Sequence, residues 1–443
     1  MAIVANRKEL VKVLERAGKL ASRNAIKPIL RSVRLAVRGD ELSVVACDGE
    51  VTVQQSLSIE GDAGDGWIEC VDLEALLKRV KAGTADECVI DVEDVGVDTK
   101  VIVNGGKTTH TLFAIRDGEA EFPAYRDFPP VGPVAIIDAA TLREALRVAL
   151  LAAAKEISRY AINGVFIERT SEGVRFVATD GRRLVRIPVK HVDASDGTWS
   201  GIIPGWLCAR MDCLLRAVPA GQAVAVHTTP ETKVKQDKTE IVTPGEVWFT
   251  VSEPKCVVSA FQVEGRFPKY EDVVYPTGQR WELDVDELRG AIKEVSITCC
   301  DENRAMKIDA RMDGTIRLET RDPSLGESVA TIVGEYLGSI EDGPATHPDY
   351  VWRSAINPVF LLDVLRSMPG GKGGRIVLDV SNYDGGMRPS NWYPAGPADV
   401  GADLWPMWTV MCISREGITG DPDPYEPQEP QEEPQEETQD VAR

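Results

Sequence analysis

The stretch Phe176-Val177-Ala178-Thr179-Asp180-Gly181-Arg182-Arg183-Leu184-Val185 decides the fold of this chain. Apolar residues alternate on both sides of Asp180-Gly181, a dipeptide that favours the positive φ angles of a tight turn. The stretch therefore predicts a strand, a turn and a second strand, with Arg182 and Arg183 just past the turn.

The same hairpin pattern returns in two other parts of the chain. An upstream copy carries the turn Asp48-Gly49, and a weaker downstream copy carries Asp322-Pro323. The first two copies close on near-identical segments, Phe122-Pro123-Ala124-Tyr125 and Phe267-Pro268-Lys269-Tyr270. Asp48 and Asp180 are 132 positions apart. Because this period is far longer than that of a solenoid repeat, each copy is predicted to be a domain with its own core.

Each copy also shows two amphipathic helices, which pack on the sheets through one face. The predicted fold is α+β, with three tandem copies of one domain and two helices per copy. The predicted domains are 1–131, 132–278 and 279–418. The segment 419–443, rich in Pro, Glu and Gln, cannot bury apolar surface and is predicted to be a disordered acidic tail.

Composition limits the possible functions. The 443 residues carry a net charge of −20, which argues against a protein that binds nucleic acid with its whole surface but permits a local basic surface. No apolar run could span a bilayer and no signal peptide is visible, so a cytoplasmic location without membrane partners is expected. Nine cysteines without a Cys-x-x-Cys pair and four scattered histidines predict reduced thiols and no metal site. Nothing in the sequence calls for a cofactor.

Basic residues collect on the polar faces of the helices in the first two copies. The helix predicted at 6–20 carries Lys8, Lys12, Arg16 and Lys19, and the helix predicted at 139–156 carries Arg143, Arg147 and Lys155. A basic stripe on one helix is usually only a solvated face. Its recurrence in an acidic chain favours a surface for an anionic ligand, although the equivalent helix of the third copy is acidic.

Asp180 with Arg182 and Arg183 could imitate a phosphotransfer site. The sequence has no Gly-rich phosphate loop, metal cluster or nucleophile–base pair to accompany them. An enzyme is therefore the weaker interpretation, and a non-catalytic binding protein is predicted.

Four motifs carry a family resemblance: Lys27-Pro28-Ile29-Leu30, Arg159-Tyr160-Ala161-Ile162-Asn163-Gly164, Val177 to Leu184, and Gly265-Arg266-Phe267-Pro268-Lys269-Tyr270. Together with the three copies they make residues 1–415 resemble the bacterial sliding clamps, the beta subunits of DNA polymerase III. The resemblance implies DNA-clamp domains with antiparallel sheets on the outside and two helices per copy on the inside. It also implies a head-to-tail homodimeric ring around double-stranded DNA, which it holds without sequence specificity. Such a ring is a processivity factor of DNA replication, located on the nucleoid.

The resemblance also implies site residues. Arg23 and Tyr160 would contact DNA, although Ala161 replaces an aromatic residue common in the family. An apolar cleft between the second and third domains would bind short peptide motifs of DNA polymerase, the clamp loader and repair proteins. Its lining would be Ile162, Thr179, Gly181, Arg183, Leu184, Pro268, Val273, Val410 and Met411, with Arg182 on its rim. From the residues alone, the preferred interpretation of Leu184, Val273 and Met411 is that they are ordinary core residues.

The chain departs from the family pattern at its end, where Val410-Met411-Cys412 lacks the usual proline and the acidic tail extends further. These departures, with the acidic third copy, leave an alternative: a divergent clamp paralogue that binds partner peptides without supporting replication.

Overall fold

The computed structural model describes residues 2–21, 27–60, 66–95, 98–115, 122–124, 128–156, 161–170, 173–190, 192–193, 198–236, 239–274, 278–299, 304–339, 351–368, 373–380, 389–396 and 406–412. The chain divides into two compact units. The first comprises 1–270 with 396–407, and the second comprises 271–395 with 408–443. The first unit holds two copies of the repeated structure, and the second holds nearly all of the third.

The elements follow one order in all three copies. The first copy contains β1 Ala2–Asn6, α1 Arg7–Leu20, β2 Ser32–Arg38, β3 Glu41–Cys47, β4 Val51–Glu60, β5 Gly66–Asp72, α2 Leu73–Ala82, β6 Glu87–Val95, β7 Asp98–Asn104 and β8 Thr109–Phe113. The second contains β9 Ala135–Asp138, α3 Ala139–Ala152, β10 Gly164–Thr170, β11 Gly173–Thr179, β12 Arg183–Val189, β13 Val192–Asp193, β14 Trp199–Pro204, α4 Gly205–Leu215, β15 Ala223–Thr229, β16 Thr232–Gln236, β17 Thr239–Thr243, β18 Glu246–Val251 and β19 Cys256–Phe261. The third contains β20 Gln279–Asp284, α5 Val285–Val295, β21 Met306–Arg311, β22 Thr315–Asp322, β23 Gly326–Val333, β24 Glu335–Ser339, β25 Val351–Ile356, α6 Pro358–Ser367, β26 Arg375–Val380, β27 Ser390–Pro394 and β28 Met407–Val410. Short 3₁₀ helices lie at Pro28–Arg31, Tyr270–Val273 and Ser296–Thr298.

Each copy builds two four-stranded antiparallel sections of sheet. Their strand orders are β5-β2-β3-β4 and β1-β6-β7-β8 in the first copy. The second copy has β14-β10-β11-β12 and β9-β15-β18-β19, and the third has β25-β21-β22-β23 and β20-β26-β27-β28. The three orders are equivalent, with β13, the β16–β17 hairpin and β24 as additions. This confirms the predicted α+β fold of three tandem copies with two helices each.

Except for α4, which follows Pro204 without a side-chain cap, the α-helices of the described residues form where a capping side chain precedes an apolar stripe. In α1, Asn6 accepts a hydrogen bond from the Glu9 amide at 3.1 Å, and the buried stripe begins at Leu10. Asp72, Asp138, Asp284 and Asn357 cap α2, α3, α5 and α6 in the same way. Each such cap is worth about 1 kcal/mol. Since the caps and stripes lie within one segment of sequence, the helices are well predicted locally.

The first and second copies join through both layers of the fold. Strand β19 of the second copy pairs with β4 of the first, with Ala260 opposite Val51. On the helical side α1 packs against α2 and α4, and α3 packs against α4. The four helices of the first unit therefore form one layer in the order α2, α1, α4, α3. None of the helices in the described part of the chain reaches the length and apolar character that a bilayer crossing needs.

One predicted feature differs from the structure, and another lies outside the residues that the structure describes. The helix predicted to reach residue 156 ends at Ala152, where the Ala153 amide bonds back to the Ala149 carbonyl and the backbone becomes extended. The tail predicted to be disordered, 419–443, lies outside the described residues.

Candidate functional sites

Three lysines of α1 project from the helical layer of the first unit. Lys8, Lys12 and Lys19 are all exposed. Lys8 lies 3.3 Å from the Asp86 carboxylate and Lys12 lies 2.8 Å from that of Glu9. Exposed pairs of this kind contribute less than about 1 kcal/mol, so either ammonium can exchange its carboxylate for another anion.

Arg16, the fourth basic residue of the predicted α1 stripe, turns into the protein. Its Nε donates to Gln55 Oε1 at 2.7 Å, and Gln55 Nε2 donates to the Val13 carbonyl at 2.9 Å. Burial lowers the pKa of Arg16, while the thiols of Cys256 and Cys213 nearby act in the opposite direction. The guanidinium therefore links α1 to β4 inside the protein, unlike the three exposed lysines.

One carboxylate holds two cations of the second copy together. Asp212 on α4 accepts from Arg143 Nε of α3 and from Arg216 Nε, both at 2.7 Å. Partial burial acts to raise the pKa of Asp212, but these two hydrogen bonds dominate and hold it below its ordinary value. Arg147 donates to Glu144 on its own helix. The basic residues of α3 therefore lie on the layer, but each shares its charge with an acid.

The remaining predicted DNA contacts fall outside α1 and α3. Lys155 is exposed but lies beyond the end of α3, so it does not share a helical face with Arg143 and Arg147 as predicted. Arg23 and Tyr160 lie outside the described residues.

Sequence reasoning missed Arg210 on α4. Its Nη1 donates to the Leu20 carbonyl at the end of α1 and to Asp48 Oδ2, each at 3.0 Å. Its guanidinium also lies over the Trp206 ring, 4.7 Å from the centroid. Since Trp206 and Arg210 are four residues apart on one helix, that spacing was the available signal. The residue fastens the second copy to the first at the Asp48 turn.

The helices of the third copy use their cations differently. Arg289 on α5 donates to Asp286 at 2.6 Å and to the Leu365 carbonyl of α6 at 3.3 Å. Arg366 donates to Asp363 at 2.5 Å. These arginines are bound within the helix pair, as expected for the copy whose helices are acidic by sequence.

The three repeated hairpins share one turn. Asp48, Asp180 and Asp322 each accept, through Oδ1, the backbone N–H groups two and three residues ahead, at 2.7 to 3.1 Å. Gly49 and Gly181 adopt φ angles of +95° and +83°, as the predicted tight turns require. The turn is therefore a structural element of all three copies.

The second hairpin carries additional polar contacts at the position of the predicted peptide cleft. Thr179 Oγ1 donates to the Arg183 carbonyl at 2.7 Å and accepts the Gly181 amide at 3.0 Å. The Arg183 guanidinium turns back to Asp180, 3.1 Å away, and its side chain is only 11% exposed. Arg182 is exposed. Gly181 and Arg182 therefore form the accessible tip of this hairpin.

The apolar members of the predicted cleft in the first unit differ in burial. Ile162 and Leu184 are buried, whereas Pro268 is half-buried. The segment around Pro268 is fixed because Phe267 stacks on Phe166, with ring centroids 4.8 Å apart. Pro268 is thus held against β10 rather than lying on a free loop.

Tyr270 anchors the same segment from its other end. Its hydroxyl donates to Glu168 Oε1 and accepts from Arg175 Nη1 at 2.8 Å. Burial and the hydrogen bond to Glu168 raise the pKa of Tyr270 well above its ordinary value. The hydroxyl therefore stays protonated at neutral pH, and Gly265–Tyr270 is clamped at both Phe267 and Tyr270.

The other three predicted cleft residues belong to the second unit. Val273 is half-buried in a 3₁₀ helix, Val410 is buried at the end of β28, and Met411 is half-buried directly after it. Trp408, two positions before Val410, donates from Nε1 to Ser367 Oγ at 2.7 Å. This bond fixes β28 to α6 within the second unit.

Comparisons with known proteins agree with these features. Residues 1–118 match the model of the family described as DNA polymerase III beta subunit, N-terminal domain. The beta sliding clamp of Pseudomonas putida is 26% identical over 390 residues, which cover 86% of this chain and 94% of the relative. The DNA polymerase III beta subunit of Pseudomonas aeruginosa superposes with a TM-score of 0.75 at 22% identity, covering 93% of this chain and all of that one. The beta sliding clamp of C. crescentus gives a TM-score of 0.72 at 20% identity, covering 94% and 99%. The two solved structures establish the fold.

Proposed function

The chain belongs to the family of bacterial beta sliding clamps, and we propose that two copies of it close into a ring around duplex DNA. The ring tethers the replicative polymerase and other partners, so that synthesis is processive. The protein itself is non-catalytic, as processivity factors are. Neither the fold nor the relatives favour the alternative of a divergent paralogue.

The single observation that carries the proposal is the helical layer α2-α1-α4-α3 of the first unit. It presents lysines and arginines from two copies of the domain on helices whose opposite faces are buried in the core. Contacts from such side chains to phosphates are strong enough to retain DNA but carry no base sequence information. A ring that slides needs this kind of contact.

We assign the phosphate contacts to the exposed Lys8, Lys12, Lys19 and Arg147 of this layer and to the half-buried Arg143, with Lys155 beyond the end of α3. Arg16 acts instead as an internal link, because its guanidinium is engaged by Gln55. Arg23 and Tyr160 remain DNA contacts by resemblance.

The ring requires a subunit contact, which we place at two strand edges. Among the described residues, β8 pairs only with β7 and β23 pairs only with β22. Both edges expose apolar side chains: Phe113 on β8 is 61% exposed and Val333 on β23 is 69% exposed. A long exposed edge of this kind invites another strand. Two different edges of one chain give a head-to-tail contact, which closes into a ring when the rotation fits.

We propose that the second hairpin and the Pro268 segment of the first unit bind the peptide motifs of partner proteins. Val273, Val410 and Met411 of the second unit are assigned to this role by resemblance alone. The exposed Arg182 at the hairpin tip would attract acidic residues of such a peptide. The clamped Gly265–Tyr270 segment supports this role, because a preformed surface loses little entropy on binding. The protein would act in the cytoplasm, on the nucleoid.

Retention on circular DNA tests the proposed function. The protein, loaded by a clamp loader onto nicked circular DNA, should stay bound through gel filtration and leave when the DNA is linearised, and light scattering should give a dimer mass. Val333→Glu should yield monomers, because it places a charge in an apolar edge. Val359→Glu, at an exposed valine on helix α6, is the control and should leave the dimer intact. A wild-type protein that is strictly monomeric and never stays on circular DNA would refute the proposal.

A further inference from the structure

The first unit contains a cavity of about 370 Å³ beside the hairpin between β3 and β4. Its walls are Cys47 and Glu50 of the hairpin, Pro123 after β8, and Trp248 and Phe261 of β18 and β19. The volume lies within the range of sites that take small ligands or a few side chains.

The walls of this cavity are the first-copy equivalents of the segments assigned above to peptide binding. Its hairpin turns at Asp48-Gly49, as the second hairpin turns at Asp180-Gly181. The hydrogen bond inside the turn is also repeated. Cys47 Sγ accepts the Gly49 amide at 3.4 Å in the first hairpin, and Thr179 Oγ1 accepts the Gly181 amide in the second. Pro123 follows a buried Phe122 as Pro268 follows a buried Phe267. The last wall, β19, ends the second copy as β28 ends the third.

The cavity is preformed. Phe122 packs in a buried cluster with Ile29, Val45, Cys47 and Cys70, which holds the Pro123 segment against the hairpin. The opposite wall is fixed because β19 pairs with β4 along its length. A ligand would therefore enter a rigid site, while Phe261 at its mouth stays 45% exposed and available to it.

The charge of the cavity is opposite to that of the second hairpin. Glu50 stands where the second hairpin has Arg182, and the Glu246 carboxylate accepts from Trp248 Nε1 at 3.1 Å inside the cavity. Among the described residues that line it, none is Lys or Arg. An acidic, partly aromatic cavity complements a cationic ligand with an apolar side chain.

We propose that this cavity is a second peptide-docking site, which binds a short basic segment of a partner protein. A bulky apolar side chain of the segment fills the space between Pro123, Trp248 and Phe261, and its lysines or arginines face Glu50 and Glu246. The proposal rests on the function proposed above for the second hairpin, since it extends that role to the equivalent surface of the first copy. It gives the two surfaces opposite preferences for charge.

Fluorescence anisotropy with two labelled pentapeptides tests the proposal on the full chain. The basic probe is Lys-Leu-Lys-Leu-Phe and the acidic probe is Glu-Leu-Glu-Leu-Phe, both at low salt so that charge effects are not screened. Glu50→Lys and Phe261→Ala should each weaken the basic probe by about tenfold and leave the acidic probe and DNA retention unchanged. Arg182→Glu should do the reverse and weaken only the acidic probe.

Each outcome decides the question. The proposal is overturned if the basic probe fails to bind, or if it binds equally to Glu50→Lys, Phe261→Ala and the wild type. It is also overturned if Phe261→Ala weakens the acidic probe instead, because the cavity would then prefer the opposite charge. Failure of the acidic probe alone would count against the role of the second hairpin, not against the cavity. Circular dichroism and thermal unfolding of Phe261→Ala confirm that the variant is folded.

Discussion

The helices of the second and third copies occupy equivalent places in the fold but differ in charge. Acidic or amide side chains cap α3, α5 and α6, whereas α4 follows Pro204 without a side-chain cap, and each helix buries one apolar face. In the second copy Arg143 and Arg147 face the helical layer, whereas α5 carries Asp286, Glu287 and Glu294 on its polar side. The fold thus depends on the caps and buried stripes, and the polar faces are free to serve binding.

Removing the lysines of α1 should reduce DNA affinity more than any other variant considered. The triple variant Lys8→Ala, Lys12→Ala, Lys19→Ala removes three phosphate contacts, so binding to duplex DNA should weaken by at least about tenfold at low salt. The slope of log K against log salt should become shallower by about one per lysine. The measurement is a salt titration of DNA binding by anisotropy.

The matched control for that series is Lys293→Ala on α5, which is equally exposed but lies on the acidic helix. It should change affinity much less than Lys12→Ala alone. Equal effects at the two positions would show that the third copy contacts DNA as closely as the first. This would contradict our assignment of the phosphate contacts to the first two copies.

Arg16 should affect stability rather than DNA binding. Arg16→Met leaves Gln55 Oε1 without its donor, and an unpaired buried acceptor costs about 1–3 kcal/mol in the free energy of unfolding. Adding Gln55→Leu removes both partners and should restore part of the loss. Chemical denaturation measures the stability, with Lys12→Met as the exposed control. A loss of DNA affinity at unchanged stability would show instead that Arg16 contacts DNA.

The difference between Arg16 and its neighbours defines what the sequence can predict. Helical spacing identified the α1 stripe, and the Asp-Gly turns identified the hairpins, because both depend on residues close together in the chain. Spacing alone could not separate Arg16 from Lys12. Its partner Gln55 is on β4, and only the tertiary fold brings the two together.

The same limit explains the other omissions. The cavity beside Glu50 is built from two copies of the domain, so its lining residues are distant in sequence. Arg210 reaches across copies to Asp48, which the sequence showed only as a turn residue. The end of α3 at Ala152 was also missed, because Ala153 and Ala154 continue the apolar pattern beyond the point where the backbone becomes extended.

Among the variants expected to change DNA affinity, substitution of Asp212 should have the smallest effect. It tests the difference in charge directly, because Asp212 neutralises cations of the second copy. Asp212→Asn frees Arg143 and Arg216, so DNA affinity should rise by about two- to fivefold at low salt. The carboxylate is 43% exposed, so solvent screens both pairs and the loss of stability at neutral pH should stay below about 1 kcal/mol.

The pH dependence of the same variant has a definite sign. The folded pKa of Asp212 lies below its ordinary value of 3.8, so its stabilising effect is complete above that pH and is lost as the pH falls through the folded pKa. Asp212→Asn should therefore unfold with a slightly flatter acid dependence below about pH 4. Asp286→Asn on α5 is the matched control, since it removes the carboxylate partner of Arg289 in the copy to which we assign no phosphate contacts. A similar gain in DNA affinity from both variants would mean that net charge alone, rather than the position of the freed arginines, controls binding.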